Sequence, residues 1–167
     1  MNWKILYEQE ILSIKPWFNV TKQHLKLPSG LEISDYYQIN QPSYCEIAVR
    51  DDKGRFLIQD SYKHGVRGAT LGFPGGYINA DEIPSDAAAR ELHEECGLHA
   101  ACWQGLGSYV IDGNRGTAKV HLFFADQITN AGKIPSDDVE EINSFWADCK
   151  QIKHDVEVDR FKTLGAR

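Results

Sequence analysis

Three glutamates, Glu91, Glu94 and Glu95, fall within five residues of one another behind a single arginine, Arg90. Spaced i, i+3 and i+4, they share one edge of any helix that carries them. Like charges so placed destabilise a helix by about a few tenths of a kcal/mol per pair. Arg90 can pair with Glu94 at i+4, but one guanidinium cannot neutralise three carboxylates. A hard divalent cation with oxygen ligands could, and Mg²⁺ or Mn²⁺ suit that donor chemistry. Mg²⁺ held by a few carboxylates keeps several waters, an arrangement suited to a substrate that brings phosphate oxygens.

The element that must position these groups is a helix from Pro84 to Cys96. Pro84 suits its first position, Asp86 its N-terminal dipole end and Gly97 the residue just past its C-terminus. At about 100° per residue, Ala88, Leu92 and Cys96 stack into a core stripe with Ala89 beside them. Glu95 lies nearest that stripe and is expected to be partly desolvated. Around the helix the chain reads as strands. "VTKQHLKL" and "LEISDYYQI" flank a Pro28-Ser29-Gly30 turn. "YCEIAVRD" and "RFLIQDSY" flank Asp52-Lys53-Gly54 and read as a hairpin. "CWQGLGSYVI", "TAKVHLFFA" and "EINSFWA" are three further strands, and "KQIKHDVEVDRFKTL" a weak C-terminal helix. Strands on both sides of one strong helix imply a mixed α/β or α+β layer domain. Trp3, Trp17 and Phe18 either cap the domain's own core or form a contact surface for a partner subunit.

From Gly76 to Leu98 the spacing is G-x5-E-x7-R-E-L-x-E-E-x-G-L, comprising Gly76, Glu82, Arg90-Glu91-Leu92, Glu94-Glu95 and Gly97-Leu98. A glutamate-rich stretch alone also makes a solvated helix face; nine fixed positions over 23 residues argue for more. The pattern resembles the Nudix hydrolase signature at every fixed position. Gly76 lets the backbone turn tightly beside the carboxylates. Glu82 can pair with Arg90 and pin the loop to the helix, and Gly97 lets the chain leave through positive φ.

The resemblance implies a Nudix fold: an α+β protein, an α/β/α sandwich with a mixed sheet, here over residues 41–167. Residues 1–40 form an antiparallel strand extension and a candidate dimerisation element. It also implies hydrolysis of a nucleoside diphosphate linked to another group, using Mg²⁺ or Mn²⁺. Carried over by position, Glu91, Glu94 and Glu95 are the metal ligands, with the Gly75 carbonyl as backbone ligand. Arg90 and Glu82 orient the others.

"LPSGLEISDYYQI", "DSYKHG" and "LGFPGG" resemble segments of ADP-ribose and ADP-sugar pyrophosphatases. By that likeness the loop "SDDVEEINSFWAD" supplies a catalytic glutamate, Glu140, with Glu141 as the alternative. Lys63 stands where arginine is common, and no proline occurs between Pro84 and Pro135. The implied substrate is a nucleotide sugar such as ADP-ribose, another nucleoside diphosphate derivative or triphosphate being the alternative. A non-catalytic nucleotide sensor is disfavoured because all the signature glutamates remain. Lys63, Arg50 and Arg67 are basic groups near strand ends or loops and are candidates to meet phosphates.

The bulk properties agree. The chain has 167 residues, 42% hydrophobic and 25% charged, enough for one real core. A net charge of −6 argues against nucleic acid held on a broad basic surface. No apolar run approaches the roughly 20 residues of a membrane span, and "MNWKILYEQE" shows no export signal. Four cysteines without a C-x-x-C pair read as reduced thiols of a cytoplasmic protein. The partners expected are a small-molecule nucleotide and a second copy of the chain, as a homodimer, with neither nucleic acid nor membrane.

Overall fold

The computed structural model describes residues 2–132 and 141–163, and two compact units emerge from it. The first comprises the first 43 residues with Tyr109–Lys119. Strands β1 (Lys4–Ile14), β2 (Phe18–Lys26) and β3 (Glu32–Asn40) form an antiparallel sheet in that order. The Pro28-Ser29-Gly30 turn closes through the Gly30 amide on the Leu27 carbonyl at 2.9 Å and the Leu27 amide on Leu31 at 2.8 Å. The free edge of β3 is covered within the same unit. The Ile39 amide donates to the Arg115 carbonyl at 3.0 Å, Gln41 to Thr117 at 2.7 Å, and the Tyr36 hydroxyl to the Asn114 carbonyl. Trp3 and Trp17 are 50% and 58% exposed, so they cap no core.

The second unit comprises Tyr44–Ser108 and the chain from Val120 onward. It contains β4 (Tyr44–Val49), β5 (Phe56–Lys63), β6 (Gly68–Gly72), helix α1 (Pro84–Cys96), most of β7 (Leu98–Val110) and β8 (Lys119–Asn130), β9 (Ile142–Ala147) and helix α2 (Cys149–Glu157). One sheet runs β4-β8-β7, with β4 parallel to β8; the other runs β6-β5-β9, antiparallel throughout. This is a mixed α+β fold. The β4 residues Cys45, Ile47 and Val49 alternate into the core and meet Ala87, Ala88 and Leu92 of α1.

Helix α1 has the bounds and C-cap that its sequence predicts, Gly97 being left-handed with its amide on His93 and Leu92 carbonyls. Its buried stripe differs in one member: Ala87 is buried and Ala89 exposed. Both alanines flank the Ala88–Leu92–Cys96 line, and burial falls on the Ala87 side. Ala87, Glu91 and Glu95 then follow at i, i+4 and i+8, so the glutamates extend a buried column.

The segments on either side of Asp52–Gly54 do not form the expected hairpin. The turn itself closes locally: Asp51 accepts from the Lys53 and Arg55 amides at 3.0 and 2.8 Å and from Arg55 Nε at 2.8 Å. Beyond an isolated bridge, Arg50 to Phe56, the strands part into different sheets. Side-chain burial on β8 and β9 decides their pairing, which no local turn signal reports. The C-terminal helix is shorter than expected. It stops at Glu157, and the chain turns so that Phe161 buries and the Leu71 amide reaches the Arg160 carbonyl at 2.9 Å. All four cysteines are free thiols. Among the described residues no helix is long and apolar enough to cross a membrane.

Candidate active site

The loop after β6 and helix α1 gather the signature residues. Arg90 lies at the centre of one half. Its five N–H donors are all engaged: Nε with Glu82 at 2.8 Å, Nη2 with Glu82 and the Tyr77 carbonyl at 3.0 Å each, Nη1 with Glu91 at 2.8 Å and Glu94 at 2.9 Å. Glu82 also accepts from the Asn79 amide at 2.9 Å. The fork–fork bond from Arg90, then that amide, hold the Glu82 carboxyl down to about 2. Loop and helix are locked together by this pair.

Glu95 is placed differently. It is half-buried, and one oxygen, Oε2, accepts from Gln59 Nε2 at 2.9 Å and from the Gly75 amide at 3.2 Å. Burial pushes its carboxyl up to about 7, with neighbouring Glu91 adding to the rise; the Gln59 and Gly75 donors and the Lys63 charge only partly oppose it. Two glycines make the approach possible. A Cβ on Gly76 would fall 2.5 Å from the Glu91 carboxylate and would displace the end of that side chain. The positive φ in this loop belongs to Gly75, at 155°, where a Cβ would meet the Cys45 carbonyl at 2.0 Å. The Pro74 and Gly76 carbonyls are taken by the Ile47 and Cys45 amides at 2.9 Å each, leaving the Gly75 carbonyl between them outside that ladder.

The donor set fits a hard divalent ion. Three carboxylates and a loop carbonyl offer only oxygen, and the desolvated Glu95 anion faces Glu91 with insufficient cationic charge beside it. In the arrangement seen, Arg90 draws Glu91 and Glu94 toward itself while Gln59 and Gly75 hold Glu95. Accordingly, among the described residues no three acidic, histidine or cysteine side chains are drawn together as a closed metal site.

Glu95, Gly75 and Gly76 open onto a cavity of about 470 Å³ that Lys63 also lines. Arg50 and Arg67 are not brought to it. Arg50 pairs with Asp126 at 2.9 Å and lies over the Phe124 ring, beside a roomier cavity of about 840 Å³ around the Asp51–Arg55 turn. Arg67 is an exposed left-handed residue after the His64–Val66 turn. Glu140 lies outside the described residues, and Glu141 is exposed at the foot of β9. The cavity adds residues that the signature does not contain: Gln59 and Ser61 of β5, Glu46 and Tyr44 of β4, and Thr70 of β6. Polar residues interrupting otherwise apolar strands are the only sequence trace they leave.

The site is thus a loop–helix–loop carrying a carboxylate array on a mixed α+β scaffold. Residues 40–164 match the NUDIX domain model, and the chain belongs to that family. It is 26% identical over 132 residues to the CMP-5'-(N-acetyl-N-hydroxy-3-aminopropyl)phosphonate hydrolase of Streptomyces rubellomurinus, covering 78% of this chain and 62% of that protein. It is 30% identical over 94 residues to an ADP-ribose pyrophosphatase of Mycobacterium tuberculosis, covering 53% and 43%. The chain thus spans about two-fifths to three-fifths of the length of these curated relatives. A crystal structure of an ADP compounds hydrolase superposes with a TM-score of 0.83 at 20% identity, over 98% of this chain and 87% of that one, which establishes the fold.

Proposed function

We propose that this protein is a Mg²⁺- or Mn²⁺-dependent pyrophosphohydrolase of nucleoside diphosphate derivatives, with a nucleotide sugar such as ADP-ribose as substrate. The observation that carries the reading is the half-buried Glu95, bonded only by neutral donors and with its carboxyl raised further by Glu91, lining a cavity beside Lys63. Glu91, Glu94, Glu95 and the Gly75 carbonyl would hold the ion. When bound, it screens the diphosphate, polarises phosphoryl oxygens and acidifies a water. In the reaction a water oxygen bonds to one phosphorus, the bridging P–O bond breaks, and the products are a nucleoside monophosphate and a sugar phosphate.

The chain's own groups supply order. Gln59 and the Gly75 amide fix one oxygen of Glu95, leaving the other to face the cavity. Arg90 and Glu82 hold the loop at a set distance from the helix and touch no reacting atom. Lys63, on the same cavity wall, offers a point charge to a phosphate oxygen. Glu140 or Glu141 is the proposed acceptor of the water's proton. A substrate panel with Mg²⁺ and Mn²⁺, detecting released monophosphate, tests the reading; no turnover of any nucleoside diphosphate derivative would overturn it.

The homodimer is a separate proposal. Every residue of β1 is exposed, with Tyr7 and Ile11 61% and 49% exposed, and Trp17 in the turn that follows is 58% exposed. An uncovered edge strand with such groups is an association surface. Light scattering after size exclusion should give twice the chain mass. The free thiols support a reducing, cytoplasmic setting.

A further inference from the structure

Strand β4 sends Cys45, Ile47 and Val49 into the core, each fully buried. Strict alternation puts Glu46 on its other face, and there it lines the same 470 Å³ cavity as Glu95 and Lys63. Its place within the cavity is marked by its neighbours. Tyr44 bridges Tyr77 in antiparallel fashion, and the Tyr44 phenol is raised by burial, then by the Glu46 charge and Tyr77. The Glu46 backbone also packs on the signature loop, its Cα lying 3.0 Å from where a Cβ on Gly75 would fall.

No described residue donates a hydrogen bond to the Glu46 carboxylate or pairs with it, although the residue is half-buried. A desolvated acid without a partner is costly unless something else supplies one. A phosphate cannot, because the charges are alike. The same cavity also carries hydroxyl groups, those of Tyr44, Ser61, Thr70 and Tyr77. We infer that Glu46 is a specificity-determining residue that accepts hydrogen bonds from a neutral donor group of the substrate, the hydroxyls of its sugar or the N–H groups of its base. This deepens, and rests on, the proposed action on nucleoside diphosphate derivatives.

The test is equilibrium binding, which needs no turnover. Methylene-bridged analogues of ADP-ribose, of its hypoxanthine counterpart and of a methyl ester of ADP are titrated with Mg²⁺ into the full chain and into Glu46→Gln. Losing one charge-assisted hydrogen bond should weaken Kd about 10- to 100-fold. Weakening confined to the two analogues with a terminal ribose assigns that sugar, weakening confined to the two adenine-bearing analogues assigns the base, and equal weakening of all three assigns the nucleoside ribose. Kd for inorganic pyrophosphate and for Mn²⁺ should not move. Unchanged Kd for all three analogues overturns the inference, as does a matching loss for pyrophosphate or Mn²⁺, which would make Glu46 an ion ligand. Wild-type turnover of a nucleotide sugar alongside unaltered Glu46→Gln binding would defeat this inference alone. Wild-type protein that binds no analogue and turns over nothing defeats both readings.

Discussion

The candidate site has two halves that treat the same functional group in opposite ways. At the Arg90 half, Glu82 meets a planar cation through two bonds and its carboxyl falls to about 2. At the cavity half, Glu95 meets neutral donors in a desolvated place and its carboxyl rises to about 7. Glu82 is matched by a bonded guanidinium, whereas Glu95 is held by neutral donors alone, with no cation bonded to it. The first half is therefore structural, holding loop and helix in register. The second is where an added cation lowers free energy, so it is where function is to be sought.

The largest expected effect comes from the Glu95 half. Glu95→Gln should cut Mg²⁺-dependent turnover by at least about 100-fold, measured as monophosphate release. Metal-free stability should move the other way. A carboxyl raised in the folded state contributes most below its unfolded value near 4.5 and loses that contribution as pH rises through about 7. Above pH 7 without metal, the Glu95→Gln protein should melt at or above the parent's Tm; a lower Tm would refute the desolvation argument.

Next comes the pair of glycines. Gly75→Ala forces a Cβ into the Cys45 backbone and should cost about 3 kcal/mol in denaturant unfolding. Gly76→Ala meets only the end of the Glu91 side chain, so it should cost less stability yet still depress turnover. Equal stability losses would contradict the distinction between backbone and side-chain overlap.

The Arg90 half gives smaller effects with the opposite pH sign. Glu82, depressed when folded, contributes stability above about pH 4.5 that is lost as pH falls toward about 2. Glu82→Gln should flatten the Tm profile across that acid window and leave its alkaline side alone. Smallest of all, Arg50→Ala breaks an exposed pair with Asp126, away from the cavity. It should change stability by about 0.5 kcal/mol and turnover not at all; a tenfold loss of turnover would bring Arg50 into the site.

The Arg90 half was largely legible in the sequence, since it is local. Helix bounds, the Gly97 cap and the Glu82–Arg90 and Arg90–Glu94 pairs follow from spacings within one loop and one helix, as does the one feature of the other half foreseen, the desolvation of Glu95. The other half depends on long-range pairing. Gln59 reaches Glu95 only because β5 sits between β6 and β9, and Glu46 faces the cavity only because β4 leaves its expected hairpin partner for β8. Nothing near Asp52–Gly54 signals that divergence. The choice of Ala87 over Ala89 was hidden for the same reason, being settled by β4 packing on one side of the stripe.

The central claim is that the glutamate edge of α1 captures a divalent ion, and direct titration with Mn²⁺ followed by electron paramagnetic resonance tests it. Wild-type protein should bind Mn²⁺ saturably, with affinity rising between pH 5 and about 7 as Glu95 gives up its proton, and Glu91→Gln or Glu95→Gln should weaken binding about tenfold or more. No saturable uptake at millimolar Mn²⁺, or equal uptake by the variants, would contradict the account.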